Sequence, residues 1–395
     1  MDLFDKLNDK YSNYAKSITA RQTGLYPYFH CLQTRQAPEV IMEGRRTIML
    51  GSNNYLGLTS EPEIIEAGKK AMDKYGTGCS GSRFLNGTLD LHLELEKKLG
   101  QFIGKPAVMT FSTGFQTNLG IISSICSRGD YIICDRENHA SIYDGAKLSY
   151  AEMRRYFHND MDSLKMVLEK VGIDTPKLII TDGVFSMSGD IANLPDICDL
   201  AAKYNARVMV DDSHGIGTIG EGGRGTASYY GLEDKVDIIM GTFSKSFASL
   251  GGFAAASTEV IDYMRHMSRP FIFSASLTPA NAATTMAALD YLVAHPEIKD
   301  RLTDIADCLR SELDKRGVRF KKTATPIVPI YTTDADTTLR IVHDLFEEGV
   351  FVNSVLPPAT AENECLIRIS LMANLTKPLI EEASDKIAHV LRKYF

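Results

Sequence analysis

Between residues 105 and 257 the chain alternates short apolar runs with amphipathic segments. The runs are AVMTF (107–111), YIIC (131–134), KLIITDGVF (177–185), ARVMVDD (206–212), VDIIMGTF (236–243) and FAAAS (253–257). They are rich in Val, Ile and Phe and show little polar alternation, which is the mark of strands covered on both faces. The segments between them carry helical periodicity. NLPDICDLAAKYN (193–205), for instance, opens on an Asn-Leu-Pro start signal. Strand–helix alternation predicts an α/β domain built on a large, mostly parallel sheet.

The rest of the chain has a different rhythm. IKDRLTDIADCLRSELDKRG (298–317) predicts a long helix ended by Gly317, followed by short strands in IVPIY, VFVN and LIRISLM and by further helices. The expected division is an N-terminal arm over residues 1–60, a large α/β domain over 61–287 and a small α+β domain over 288–395. The opening MDLFDKLNDKYSNYAKS predicts a polar amphipathic helix rather than a signal peptide.

Bulk composition narrows the function classes. Of 395 residues, 44% are apolar and 24% charged, as in ordinary globular chains, and the formal net charge is −7. That balance lacks the basic footprint of a nucleic-acid partner. The cysteines (Cys31, Cys79, Cys126, Cys134, Cys198, Cys308 and Cys365) are odd in number and lack C-x-x-C spacing, which points to free thiols in a reducing compartment. With no apolar run of about 18 residues, a membrane span is not expected and a cytoplasmic location is.

Ligands of open α/β sheets bind beyond the carboxyl ends of the strands. After AVMTF comes Ser112-Thr113-Gly114-Phe115, opening the helix FQTNLGIISSI. It reads as a phosphate seat or as a plain N-cap. After YIIC comes His139, a helix cap or a site residue. After LIITDGVF comes Ser186, in a segment that could be a simple turn. After ARVMV come Asp211 and His214. A buried carboxylate there needs a cationic partner, and no companion ligands with metal spacing accompany it, so no metal is expected. After VDIIM comes Lys245, set among Thr242, Ser244, Ser246 and Ser249 with Gly251 and Gly252 behind. Taken together these strand ends describe a socket for pyridoxal 5′-phosphate. The lysine would form the Schiff base, and the carboxylate would keep the pyridine nitrogen protonated.

The segments GTGCSGSRFLNGTLDLH, DRENHASIYDG, TDGVFSMSGD, VDDSHGIG, GTFSKSFASLGGF, RPFIFSASLTPA and VFVNSVLPPAT resemble the α-oxoamine synthases, a branch of the fold-type I (aspartate aminotransferase-like) pyridoxal-phosphate enzymes. The resemblance spans nearly the whole chain and is strongest to the serine palmitoyltransferase group. It implies the aspartate aminotransferase-like fold, with a seven-stranded type of sheet and a smaller C-terminal domain. It also implies catalytic roles for Lys245, His139, Asp211 and His214. Lys245 would act as acid and base at the substrate α-carbon. His139 would stack on the pyridine and polarise the thioester carbonyl, and His214 would bond the ring's phenolic oxygen. Cofactor contacts are implied for Ser112, Thr113, Gly114, Phe115, Ser186, Thr242 and Ser244, with Ser274 reaching the phosphate of a second subunit in a homodimer. Arg368 would clamp the amino acid carboxylate, with Asn53 and Asn54 nearby.

The reaction implied is decarboxylative condensation of serine with a long-chain acyl thioester on CoA or acyl carrier protein. It would give a 3-keto amine, the opening step of sphingolipid synthesis; cysteate, glycine and alanine are the alternative amino acids. A poorly soluble product leaves room for peripheral contact with a membrane. Two positions depart from that group's pattern: Asn374-Leu375 stand where it carries a histidine, and Leu356 stands where some members carry an arginine.

Overall fold

The computed structural model describes residue 4 and residues 12–357, 359–360 and 364–395. Most of the helix expected at the N-terminus therefore lies outside the described residues; Ser12–Gln22 is helical. Strands β1 (Glu39–Met42) and β2 (Arg45–Met49) then form an antiparallel hairpin.

The large sheet contains β3 (Ala107–Phe111), β4 (Tyr131–Asp135), β5 (Glu152–Tyr156), β6 (Lys177–Asp182), β7 (Arg207–Asp211), β8 (Ile238–Thr242) and β9 (Gly252–Ala256). Their order is β3-β9-β8-β7-β6-β4-β5, and only β9 runs against its neighbours. The link between β8 and β9 is residues 243–251, too short for the crossover that a parallel return requires. Successive side chains enter opposite cores. Ile133, Ile179 and Val208 join one cluster, while Ile132, Ile180 and Met209 join the other. Both faces are thus covered, as continuous apolar runs demand. Burying one such side chain contributes about 1.5–3 kcal/mol.

The second module holds β10 (Ile327–Thr332), β11 (Val350–Phe351), β12 (Asn353–Val355) and β13 (Cys365–Ser370). β10, β13 and β12 form an antiparallel sheet, and β11 adds parallel to β2. The hairpin β1–β2 of the expected arm is therefore part of this module's sheet structure. The segment after it is anchored by Ser370 N–H donating to Leu50 O at 2.8 Å. The position expected for the domain boundary, 287/288, falls inside the helix Pro279–Ala294. That helix continues without a break because its apolar side packs on Pro62–Tyr75 and Asp90–Ile103. No helix among the described residues is long and apolar enough to cross a membrane.

Candidate active site

The ends of β3, β4, β6, β7 and β8 converge on a cavity of about 220 Å³. Its lining includes Thr113, Gly114, Phe115, Asn118, His139, Asp182, Asp211, His214, Thr242, Ser244 and Lys245. One end is a helix N-terminus. Helix α1 (Gly114–Ile125) is capped by Thr113, whose Oγ1 accepts from Gln116 N–H at 3.1 Å. The unpaired N–H groups of its first turn carry the positive end of the helix dipole. Only glycine fits at position 114, because a Cβ there would lie 2.6 Å from Thr242 Oγ1. The first turn of α1 thereby sits directly against the end of β8. Thr242 Oγ1 donates to Gly251 O at 2.9 Å and lies 3.0 Å from Ser244 Oγ. This is an anion cradle of amides and hydroxyls.

At the other end, Asp211 is buried at the tip of β7. Its Oδ2 accepts from Asn118 Nδ2 at 2.7 Å and its Oδ1 from Ser213 N–H at 3.1 Å. The second proton of the same Asn118 amide goes to Ser141 Oγ at 2.8 Å. Ser141 begins helix α2 (Ala140–Ser149), whose N-cap is His139. His139 Nδ1 accepts from Ser141 N–H at 3.3 Å and lies 2.7 Å from Ser141 Oγ. With Nδ1 accepting, the ring proton sits on Nε2. Burial, reinforced by Lys245 against the pull of Asp211, holds the His139 pKa below its ordinary value. A second carboxylate, Asp182, pairs in register with Asp211 and accepts from His139 N–H at 3.2 Å. Burial, then the charge of Asp211, pushes its pKa well up.

Lys245 is half-buried, and its amine makes no hydrogen bond or ion pair among the described residues. Burial drives its pKa down to about 8, opposed by Asp211 and helped by Arg368. Among the described residues Asn118 Oδ1 is also buried without a partner. An unpaired amine, an orphaned amide oxygen, a carboxylate and an anion cradle around one cavity fit a phosphorylated aldehyde with a basic ring nitrogen.

Behind this cavity stands Arg368 on β13, 4% exposed. Its guanidinium donates to Ser186 O, to Ser370 Oγ at 3.1 Å, to Asn53 Oδ1 at 3.0 Å and to Tyr55 OH at 3.0 Å. All four acceptors are neutral. Among the described residues no carboxylate pairs with this buried cation, an expensive arrangement that an incoming anion relieves. Tyr55 OH in turn lies 2.7 Å from His214 Nδ1.

Some residues expected in the site stand elsewhere. Ser112 Oγ donates to Ala275 O at 2.5 Å and does not line the cavity. Ser186 acts through its carbonyl, on Arg368. The Asn54 amide is turned away, donating to Thr59 Oγ1 at 2.8 Å. Ser274 is expected in the site of a second subunit rather than its own; within its own chain its Oγ accepts from Gln116 Nε2. Neither Asn374 nor Leu356 lines the cavity. Asn374 packs on Gly57, where φ is +72° and a Cβ would meet the amide at 2.4 Å. The unusual residue therefore fits a backbone turn rather than the cavity wall. In GSRFLNGT, Arg83 forms a buried pair with Glu96 at 2.7 Å, and Glu96 also accepts from Thr110 N–H, bracing β3 from beneath.

The turn that carries Ser186 is held from outside the cavity. His158 Nδ1 lies 3.0 Å from Asp135 and its Nε2 3.1 Å from Asp190, which also pairs with Lys321 at 2.5 Å. Burial opposes the charged ring, but the bonds to Asp135 and Asp190 win and push its pKa up to about 10. A raised folded-state pKa means the stabilisation is complete below about pH 6.5 and is lost as pH rises through about 10. His158→Gln should lower the Tm by about 2–5 °C at pH 6.5, and the gap to the parent protein should close toward pH 10. A gap that stays constant in calorimetry across that range would refute the charged state of His158.

Asp182, Asn118, Ser141 and Tyr55 are site residues that the sequence reading did not single out. Asn118 lies four residues after Gly114, on the same helix face, and that spacing was the available signal.

A family profile for aminotransferase class I and II matches residues 45–387. A serine palmitoyltransferase of Sphingobacterium spiritivorum is 49% identical over 98% of this chain and 97% of its own. An 8-amino-7-oxononanoate synthase of Bacillus subtilis is 44% identical over 90% of this chain and 91% of its own. Among solved structures, a serine palmitoyltransferase variant from S. paucimobilis with a bound PLP–myriocin aldimine superposes with a TM-score of 0.96. It is 36% identical, covering 100% of this chain and 99% of that one.

Proposed function

Because the chain belongs to the aminotransferase class I and II family, we propose that it is a pyridoxal-phosphate-dependent acyltransferase joining serine to a palmitoyl-class thioester. The carrying observation is the unpaired Lys245 amine sharing a cavity with Asp211 beneath the α1 N-terminus. The 49% identity to a serine palmitoyltransferase over nearly the full chain supports the substrate class. In the net reaction, the serine α-C–H and Cα–carboxyl bonds break and the thioester C–S bond breaks. One C–C bond forms between Cα and the acyl carbon, carbon dioxide and a thiolate leave, and the thiolate and Cα each gain a proton, one being that released from Cα and the other coming from water.

Bound pyridoxal phosphate supplies an aldehyde for the amine and a protonated pyridine that draws electrons from the substrate α-carbon. The residues of this chain do the rest. Amides of Gly114 and Phe115 and the Ser244 hydroxyl would hold the phosphate, with Thr242 joining once its proton turns from Gly251 O. Asp211, oriented by Asn118 and Ser213, would keep the ring nitrogen protonated. The same Asn118 aligns His139 through Ser141, which leaves Nε2–H as a donor that would serve the acyl carbonyl. Lys245 Nζ removes the α-proton and later returns it. Arg368 receives the substrate carboxylate, exchanging neutral acceptors for an anion.

The chain would act as a homodimer, with Ser274 of each copy serving the other's phosphate site; the exposed Phe273 beside Ser274 supports this reading. The free cysteines support a reducing, cytoplasmic setting.

The 44% identity to an 8-amino-7-oxononanoate synthase favours alanine as the second reading. A turnover assay with palmitoyl thioester and serine, cysteate, glycine or alanine separates them. Serine should release carbon dioxide at least about 10-fold faster, the discrimination available from one polar contact. Faster turnover of alanine would favour the second reading. A colourless protein that consumes none of the four would end the enzyme reading.

A further inference from the structure

Tyr55 lies in SNNYLG, where it reads as a core aromatic, and it is fully buried. Its hydroxyl nevertheless bridges two site residues. Arg368 Nη2 donates to it at 3.0 Å, and His214 Nδ1 lies 2.7 Å away. The direction of the second bond follows from proton counting. A guanidinium has only donors, so Tyr55 accepts from Arg368. The single hydroxyl proton must then find an acceptor, and His214 Nδ1 is the one that the described residues place within reach. Were Nδ1 protonated instead, the tyrosine proton would be buried without a partner, a penalty of about 1–3 kcal/mol.

We infer that Tyr55 is a positioning residue that holds His214 in the Nε2–H tautomer, so that the ring presents a donor to the cavity. The charged neighbours agree with a neutral ring. Lys245 and Arg368 are cationic groups facing it, with His139 nearby, and burial together with these charges holds its pKa well below the ordinary range. The Arg368 Nη2 donor thus fixes a proton direction one residue beyond its own acceptor, at His214. Under the proposed function, the oxygen that meets this donor is the phenolic oxygen of the cofactor; the tautomer itself does not depend on that reading.

Neutron diffraction on the deuterium-exchanged protein tests the tautomer directly. Deuterium is expected on Nε2 of His214 and on the Tyr55 oxygen, aimed at Nδ1. Deuterium on Nδ1 overturns the inference, whether or not the protein takes pyridoxal phosphate. The positioning role is read from the pH midpoint of the visible absorbance of the cofactor-loaded protein. Tyr55→Phe should raise that midpoint by at least about half a pH unit, because an oxygen that loses its donor is less able to stay ionised. Ser370→Ala removes an acceptor from the other terminal nitrogen of Arg368, Nη1, and touches neither Tyr55 nor His214, so its midpoint should match the parent protein. An unmoved midpoint in Tyr55→Phe, or an equal shift in both variants, would also overturn the role.

Discussion

Lys245→Ala should reduce turnover by at least about 10³-fold while the chain still folds, since general acid–base catalysis by one group contributes about 10²–10⁴. The reason lies in the state of this amine. An exposed lysine near pH 7 is neutral in fewer than about one molecule in a thousand. With its pKa pushed down to about 8, Lys245 is neutral in roughly one molecule in ten at that pH, and neutral amine is the form that attacks an aldehyde or takes a proton. The substitution removes no hydrogen bond, because the amine makes none among the described residues, so stability has little to lose. The phosphate cradle at Gly114 and Thr242 is untouched as well. Turnover with serine and palmitoyl thioester checks the first half. Borohydride reduction of the parent protein followed by peptide mapping checks the second, with the label expected on residue 245. A label found on another lysine, or a variant that keeps a tenth of the parent rate, would move the chemistry elsewhere.

Strand positions were legible in the sequence where strands are buried on both faces, and much less so elsewhere. β6, β7 and β8 are continuous apolar runs and were read within a few residues of their bounds. β5 reads EMRRY and was not recognised, because it is the sheet's edge and mostly faces water. β9 was expected as a strand, but its antiparallel direction, which the short link 243–251 imposes, was not, and neither was the union of β2 with β11, since residues 48 and 350 meet only through the whole fold.

The candidate site divides along the same line. Residues that end strands, such as Asp211 and Lys245, announce themselves because a polar group after an apolar run must have a destination. Tyr55 and Asn118 do not, because each is disguised as part of an element: one as a core aromatic, the other as a helix interior position. Asn54 misled for the opposite reason. It lies beside Asn53 in sequence, but the chain turns there, with Tyr55 N–H donating to Asn53 O at 2.8 Å, and its amide donates to Thr59 Oγ1.

Arg368→Lys should raise the KM for the amino acid by about 10–100-fold and leave the KM for the acyl thioester within about 2-fold, with kcat falling far less than in the lysine variant. Charge is conserved in this exchange, so the effect isolates geometry. The guanidinium distributes its donors over Ser186 O, Ser370 Oγ, Asn53 Oδ1 and Tyr55 OH, drawn from three separate segments of the chain. A single ammonium on a shorter reach cannot hold these acceptors and also offer a fork to a carboxylate. Two charge-assisted bonds at about 1.5–3 kcal/mol each would disappear in full, and one point-charge contact would replace them, which leaves a net loss of about 1.5–3 kcal/mol. At 1.4 kcal/mol per factor of ten, that is the range of KM stated above. Steady-state kinetics with each substrate varied in turn measure the split. Equal increases in both KM values would place Arg368 in the scaffold joining β13 to the turn at Ser186 rather than at the substrate. An unchanged amino acid KM would mean that the neutral cradle is the guanidinium's permanent position and that another group receives the carboxylate.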